Sequence, residues 1–285
     1  MSDRNAPELT RPRAPWLSAV AIMRNEETNL PGLFATLRGR VGELILVDDS
    51  STDRSLELAA AEGAWVRVIA HSMTPDGGFA GQRNIGLDAA RGSWALHMDC
   101  DERLSPELFE ELCRVLPETP HNGMRYRRIN YFLHRPMGHG GWNTWNRPQI
   151  ARIGHHRFEG RLHETCVIEG AAAMTGQLQH PMHHLNDVDL TQRLRKSEKY
   201  VGMDAERLAE SRRRVRGSEL VWRPLIEFAK KYVWRRGFLD GTPGLIAALH
   251  SATAVFRTHA LVWDQQNRIE RGEIEAALEP RKGQR

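Results

Sequence analysis

From residue 17 to residue 116 the chain alternates short apolar runs with segments of helical periodicity. The runs at 17–23, 43–47, 65–69 and 94–98 read as buried strands. Helical patterns fall between them: 29–37 with Pro31 in its first turn, 55–62 stopped by Gly63, and 79–90 ending near Gly92. Ser105 and Pro106 then open a helix to Leu116 as cap and first-turn proline. This rhythm predicts an α/β fold whose mostly parallel sheet carries helices on both faces.

The texture changes after residue 123. Alternating runs at 124–132, 149–153 and 165–168, separated by Gly, His and Trp, predict further strands with long loops over the sheet edge. From 187 onward the pattern is helical, over 187–216, 218–236 and 243–263, with a polar last helix. The expected organisation is a disordered tail over 1–15, an α/β domain over 16–186 whose halves meet at 116/117, and a helical appendage over 187–285.

Composition narrows the class. A chain of 285 residues with 40% hydrophobic and 27% charged positions folds around a substantial core. Its three cysteines, Cys100, Cys113 and Cys166, form no CxxC pair, so neither a disulfide framework nor a thiolate zinc site is expected, and a reducing cytoplasm fits. The first residues carry charges and prolines where a secretory signal needs an apolar core. The most apolar stretch, 238–263, is interrupted by Asp240, His250, Arg257 and His259, so no spanning helix is expected.

Charge is uneven. The formal net charge is +4, yet residues 193–236 hold fourteen Lys and Arg against six acids. This local basicity points to an anionic surface near that segment. Trp222, Tyr232, Trp234, Phe238, Phe256 and Trp263, interleaved with or following these cations, suit helices lying on an anionic membrane face. A helical appendage with a solvated basic side accounts for the same pattern.

In doubly wound sheets ligands gather at the carboxyl ends of the strands, so the residues just past each strand matter most. The second strand runs into Asp48-Asp49-Ser50-Ser51-Thr52-Asp53, where a carboxylate accepts hydrogen bonds from ribose hydroxyls or a base imide; helix capping explains Thr52 and Asp53 but not two acids before them. The fourth strand runs into Asp99-Cys100-Asp101-Glu102. In an extended segment Asp99 and Asp101 share a side and can share one hard cation such as Mg²⁺, although a solvated acidic turn has the same sequence. Arg83 and Asn84, near the start of a helix, can hold phosphate or orient the acids. In the second half, His180, His183 and His184 offer an imidazole for a metal shell, with His180 the candidate, and Trp142 and Trp145 among glycines offer a sugar platform or core packing.

These pieces occur in a recognisable order: Met23-Arg24-Asn25-Glu26-Glu27, then VDDSSTD, then GQRNIGLDAARGSWALHMDCDERLSPEL, RPQIARI, FEGRLHE and GFLDG. Together they resemble the family 2 glycosyltransferases of the GT-A fold, in particular the branch containing lipopolysaccharide core β-glucosyltransferases. The resemblance implies a GT-A type, Rossmann-like catalytic domain and an inverting, metal-dependent transfer of a hexose from a UDP-linked sugar to a glycolipid, lipopolysaccharide core or polysaccharide. It implies that Asp49 holds the base or ribose, with Asn25, Glu26, Arg83, Asp99 and Arg152 also near the nucleotide or diphosphate. Asp101, helped by Asp99, would bind Mg²⁺ or Mn²⁺, with the His180 imidazole as the residues' own candidate to complete the shell. Glu164, beside His163, would take the proton from the acceptor hydroxyl, and Trp142 and Trp145 would line the acceptor. The implied location is cytoplasmic, peripheral at the inner face of the cytoplasmic membrane.

Competing classes leave different signatures. A nucleotidyltransferase needs a glycine-rich loop after the first strand, a P-loop enzyme needs GxxxxGK[ST], and a zinc peptidase needs a second histidine at HExxH spacing; the sequence has none of these. A nucleic-acid binder using the basic helices conflicts with their interspersed acids and the absence of a reading motif, so no nucleic acid is expected. A catalytically inactive scaffold conflicts with the presence of both Asp99 and Asp101.

Overall fold

The computed structural model describes residues 13–74, 76–160, 164–170, 174–186 and 189–278. The strands are β1 (Ala14–Met23), β2 (Val41–Asp48), β3 (Val66–Ala70), β4 (Trp94–Asp99), β5 (Glu102–Arg103), β6 (Gly123–Phe132), β7 (Arg135–Met137), β8 (Asn146–Arg152), β9 (His156–Glu159), β10 (Thr165–Ile168), β11 (Thr175–Gln177) and β12 (Met182–His184). The helices are α1 (Leu30–Leu37), α2 (Ser55–Ala61), α3 (Gly78–Asp88), α4 (Pro106–Val115), α5 (Leu190–Glu210), α6 (Glu219–Ala229), α7 (Gly241–Asn267) and α8 (Arg271–Leu278). The tail expected over 1–15 lies outside the described residues up to residue 12, and Ala14 and Pro15 already belong to β1.

Two compact units are present, one of residues 13–131 and 142–186, the other of residues 132–141 and 189–278. In the first, the sheet runs in the order β3-β2-β1-β4-β8-β6-β12-β5, with β11 beside β6. From β3 to β4 every pairing is parallel, as alternating strands and crossover helices require. Beyond α4 no helix interrupts the strands from β6 to β12, and β8 runs antiparallel to both β4 and β6. The sheet is therefore parallel where the chain is β-α-β and mixed where it is not.

Side-chain alternation divides the two faces. Leu17, Ala19 and Ala21 of β1 and Leu96 and Met98 of β4 pack into the main core with Leu33 and Phe34 of α1 and Leu108 and Leu112 of α4. Val20 of β1 and Ile45 and Val47 of β2 point the other way, against Ile85 and Ala89 around α3. The same alternation puts Ala95, His97 and Asp99 on the α3 face. The caps expected for α4 are in place, since the Ser105 hydroxyl accepts from Leu108 N at 3.1 Å.

Gly86 sets how closely α3 approaches. A Cβ there would stand 2.4 Å from Val20 Cγ1 and 3.0 Å from Val47 Cγ2. On the same face His97 and His156, both buried, meet Nε2 to Nε2 at 2.8 Å. His156 Nδ1 donates to the Arg152 carbonyl, so its Nε2 accepts and His97 Nε2–H donates. Both imidazoles are neutral in this arrangement, and burial followed by the neighbouring ring holds His97 well below its usual range; burial lowers His156 too.

In the second unit α5, α6 and α7 pack together, and a π-helical turn, Lys230–Trp234, extends α6 before a 3-10 turn, Gly237–Asp240. The Asp240 carboxylate accepts from the backbone N–H of Gly138 and His139 and pairs with His139 Nδ1 at 3.0 Å. The pattern's single helix over 187–216 is realised as Leu190–Glu210, capped by Asp189 accepting from Gln192 N, and Arg212 then takes φ 52°. Among the described residues one stretch, Gly237–Asn267, is long and apolar enough to cross a membrane by length and composition alone, despite the charged and histidine interruptions from which no spanning helix is expected, and a third of its apolar window is buried.

Two outcomes follow from this packing. Gly86→Ala should destabilise the protein by about 1–3 kcal/mol despite the better helix propensity of alanine, read as a lowered urea midpoint; an unchanged midpoint would contradict the close approach of α3. Unfolded histidines bind a proton near pH 6.5 whereas His97 and His156 resist it when folded, so the unfolded state holds more protons on the acid side. Stability should therefore fall as the pH drops from about 7 to 5, and His156→Gln should flatten that fall.

Candidate active site

The loops after β1 and β2 lie side by side at the carboxyl edge of the sheet. Asn25, at φ 57°, donates its backbone N–H to Ser51 Oγ at 2.9 Å, and its side-chain oxygen accepts from Thr52 N at 2.7 Å. Glu26 N donates to the buried Ser55 hydroxyl, and the Glu26 carboxylate accepts from Asn29 Nδ2 at 2.7 Å. Asp49 accepts from Met73 N at 2.7 Å and pairs at 3.1 Å with the exposed Arg24. The Ser/Thr/Asp cluster thus joins neighbouring loops, and Asp53 accepts from Ser55 N at the start of α2 at 3.0 Å.

Register brings the second acidic group to the same edge. Met23 of β1 pairs with Asp48, and Ile22 with Asp99, so β2 and β4 end within one residue of each other on either side of β1. Their ends stand about two strand spacings, roughly 10 Å, apart. Cys100, between the two acids, turns inward and donates its thiol to the Ile22 carbonyl at 3.4 Å. Burial, with the charges of Glu26, Asp101 and Asp99, raises that thiol well above its usual range and keeps it protonated.

Arg83, on α3 and facing β4, is 5% exposed. Its Nη2 meets Asp99 Oδ1 at 2.5 Å and its Nε meets Glu164 Oε1 at 3.3 Å. The residues flanking Arg83 hold it there. Gln82 donates to the His71 carbonyl at 2.6 Å, while Asn84 exchanges two hydrogen bonds of 2.9 Å with the backbone of Phe158 in β9. The segment carrying Glu164 follows β9 and leads into β10, which pairs with it.

A second guanidinium closes the other side. Arg128 of β6 meets Asp99 Oδ2 at 3.1 Å and Glu102 Oε1 at 2.5 Å, and lies 3.8 Å over the Trp145 ring. Burial alone would raise Asp99, but Arg83 and Arg128 overcome it and hold this carboxyl below its usual range. Glu102, fully buried, is pushed up to about 7 by burial, which Arg128 opposes only in part.

Asp101 faces His184 of β12, with Nε2 to Oδ2 at 3.3 Å. The other ring nitrogen of His184 pairs with Asn130 Oδ1 at 2.7 Å, and Asn130 Nδ2 donates to the Trp142 carbonyl. Burial would lower His184, yet the hydrogen bond and charge of Asp101 raise it. Ligating atoms of Asp99, Asp101 and His184 all lie within 4.8 Å of one another. Two carboxylates and an imidazole suit Mg²⁺ or Mn²⁺, and the surplus of carboxylates over guanidiniums favours a dication.

Two expected residues lie elsewhere. Arg152 pairs with Trp94 at the start of β4, roughly 16 Å along the strand from Asp99, where it donates to the carbonyls of Thr119 and His121 and stacks on Trp94. It is therefore not beside the acidic pair that would hold a diphosphate. His180 precedes Pro181 and turns toward α4, where its ring and backbone N–H meet Glu111 at 2.9 Å. His184, paired across the ladder with Glu102, occupies the position expected of His180. Trp142 and Trp145 are both half-buried, Trp145 against Tyr126 at 5.4 Å between centroids. His163 lies outside the described residues. Neither Arg128 nor Glu102 carries a site role on sequence grounds: Glu102 closes the acidic run after β4, Arg128 is one of three arginines in β6, and nothing in the sequence pairs them.

A surface groove of about 490 Å³ lies away from this cluster, lined by Asp88, His155, Arg157 and Glu169 among others. Among its lining side chains Arg157 pairs with Asp88 and His155 with Glu169.

Comparison with known proteins supplies the family. The profile of Glycosyl transferase family 2 matches residues 18–170. The lipopolysaccharide core biosynthesis glycosyltransferase LpsC of Rhizobium meliloti (strain 1021) is 30% identical over 266 residues, covering 88% of this chain and 95% of that protein. The uncharacterized glycosyltransferase RC0292 of Rickettsia conorii is 24% identical, over 84% of this chain and 87% of that protein. Among solved structures, that of S. aureus TarS 1-349 superposes with a TM-score of 0.45 at 15% identity, covering 89% of this chain and 93% of that one. A family profile spanning more than half the chain, joined to a relative similar along nearly its whole length, makes this protein a member of glycosyltransferase family 2.

Proposed function

We propose that the protein is an inverting, metal-dependent glycosyltransferase that moves a hexose from a UDP-linked sugar to a glycolipid, lipopolysaccharide core or polysaccharide acceptor at the cytoplasmic face of a membrane. The observation that carries the reading is the convergence of Asp99, Asp101 and His184 within 4.8 Å, with Arg83 joining Asp99 to Glu164. Similarity to the lipopolysaccharide core enzyme LpsC supports the acceptor class.

In this reading Asp49 receives the base or ribose, and the exposed Arg24 beside it can swing aside as the nucleoside enters. Asn25 and Glu26 shape the neighbouring loop. Asp101, Asp99 and His184 would hold a divalent cation, which would supply charge stabilisation for the leaving diphosphate. Arg83 and Arg128 add fixed positive charge beside it in a partly buried setting. Glu164, oriented by Arg83, takes the proton of the acceptor hydroxyl as its oxygen bonds to the anomeric carbon and the bond to the diphosphate oxygen breaks. Trp145, stacked beneath Arg128, and Trp142 offer ring faces to the acceptor. The catalytic region so defined is 16–186, its nucleotide half 16–116 and its acceptor half 117–186, with 187–285 serving the membrane surface.

Two measurements test the assignment. Asp101→Asn should reduce Mn²⁺-dependent binding and slow hydrolysis of UDP-glucose on the order of 100-fold; indifference to the metal and to this substitution would overturn the donor site. Glu164→Gln should keep UDP-glucose binding near the parent value while slowing transfer to a lipid-linked saccharide by about 10²–10⁴-fold, and full transfer would remove Glu164 from the base role.

A further inference from the structure

The helix formed by α6 and its π-helical extension carries large apolar residues on its outward side as well as on the side that packs, where Leu220, Phe228 and Tyr232 lie. Residues 220, 223, 224, 227, 228, 231 and 232 are half-buried, whereas 221, 222, 225, 226, 229, 230, 233 and 234 are exposed. At 100° per residue these sets centre on opposite sides of the axis. The outward set is Val221, Trp222, Leu225, Ile226, Val233 and Trp234, with Leu225 62% and Trp234 84% exposed. Phe238 and Leu239 continue it into the next turn. Monomeric soluble surfaces rarely present so continuous an apolar strip, and a polar rim around one marks an interaction site.

The rim is cationic. Arg216, Lys230, Arg235 and Arg236 are exposed around the strip, within the segment whose Lys and Arg outnumber its acids by eight. Trp222 and Trp234 stand near its two ends, about 18 Å apart along the axis, as aromatic side chains do at a membrane interface. A second copy of the chain fits poorly, because a twofold contact through this strip would set the cationic rim against itself. Anionic lipid headgroups meet both requirements.

We propose that the outward strip of 219–234, with the turn that follows, docks in the plane of an anionic bilayer, its apolar side chains below the headgroups and its cations among the phosphates. The inference deepens the proposed action on a membrane-borne acceptor and rests on that reading only for its purpose. The helix lies in the plane because its opposite side packs on α7. That longer helix in turn turns small residues, Gly244, Ala247, Ala248 and Ala252, inward, and its Arg257 donates to Ser197 of α5 at 2.7 Å.

The test is co-sedimentation of the full chain with vesicles of phosphatidylcholine alone or phosphatidylcholine mixed with phosphatidylglycerol, with UDP-glucose binding measured in parallel without vesicles. Partitioning should be at least about tenfold stronger with the anionic lipid, since each basic contact contributes about 1 kcal/mol. Leu225→Glu combined with Trp234→Glu should lower it at least about tenfold while leaving UDP-glucose binding unchanged; both side chains are exposed, so the fold tolerates the change. Partitioning that ignores the anionic lipid or survives the double substitution would overturn the proposal. So would a dimer in solution that the same substitution converts to monomer. Vesicle binding as expected with no affinity for UDP-glucose would instead sink the donor site and leave the docking surface standing.

Discussion

A guanidinium buried between two carboxylates fixes the geometry on which the site depends. Arg83 is 5% exposed, and taking its charge out of water is costly. Asp99 and Glu164 compensate that cost, and removing one member of such a buried pair costs about 3–5 kcal/mol in other proteins. Three pieces of chain are joined by this one side chain: α3, the end of β4, and the segment between β9 and β10. Gln82 and Asn84, on either side, direct their hydrogen bonds to backbone, so Arg83 is placed by structure and not by chance rotamer choice.

Electrostatic imbalance turns that scaffold into a site. Asp99 is shared by two arginines, whereas Asp101 has His184 as its described partner. Glu102 sits deeper, and its upward shift to about 7 lets it relieve negative charge by protonation instead of by further pairing. The arrangement keeps one carboxylate firmly ionised beside another that faces a histidine, a setting suited to a cation and to a diphosphate approaching the two guanidiniums.

Much of this was legible in the residues. The alternation of apolar runs with helical segments predicts β1 to α4, apart from the two-residue β5, to within a few residues, because β1, β2 and β4 are buried on both faces and Ser105 with Pro106 marks the start of α4. The mixed half was less legible: β6, β8 and β10 show as alternating runs, but β11 and β12 are three residues each, too short to carry a period. Strand ends made Asp49, Asp99 and Asp101 stand out, since consecutive acids exceed what capping needs. The histidine was misplaced because QHPMHHL offers three equivalent rings, and only the pairing of β12 with β5 brings His184 to Asp101 while Glu111 takes His180. Arg152 was drawn in by a motif shared along the family, whereas its register with Trp94 puts it at the far end of the sheet. Arg128 and Glu102 went unseen because a charged residue in a strand gives no sign of which buried partner it meets.

The proposed function makes one spatial claim: a dication and a nucleotide diphosphate would occupy the space between Asp49 and Asp101. The most direct measurement is an anomalous difference map from crystals grown with Mn²⁺ and UDP. A single peak within coordination distance of Asp101 and the His184 ring, with the uracil or ribose at Asp49, is the expected result. Manganese or diphosphate bound at a surface away from these residues would contradict it.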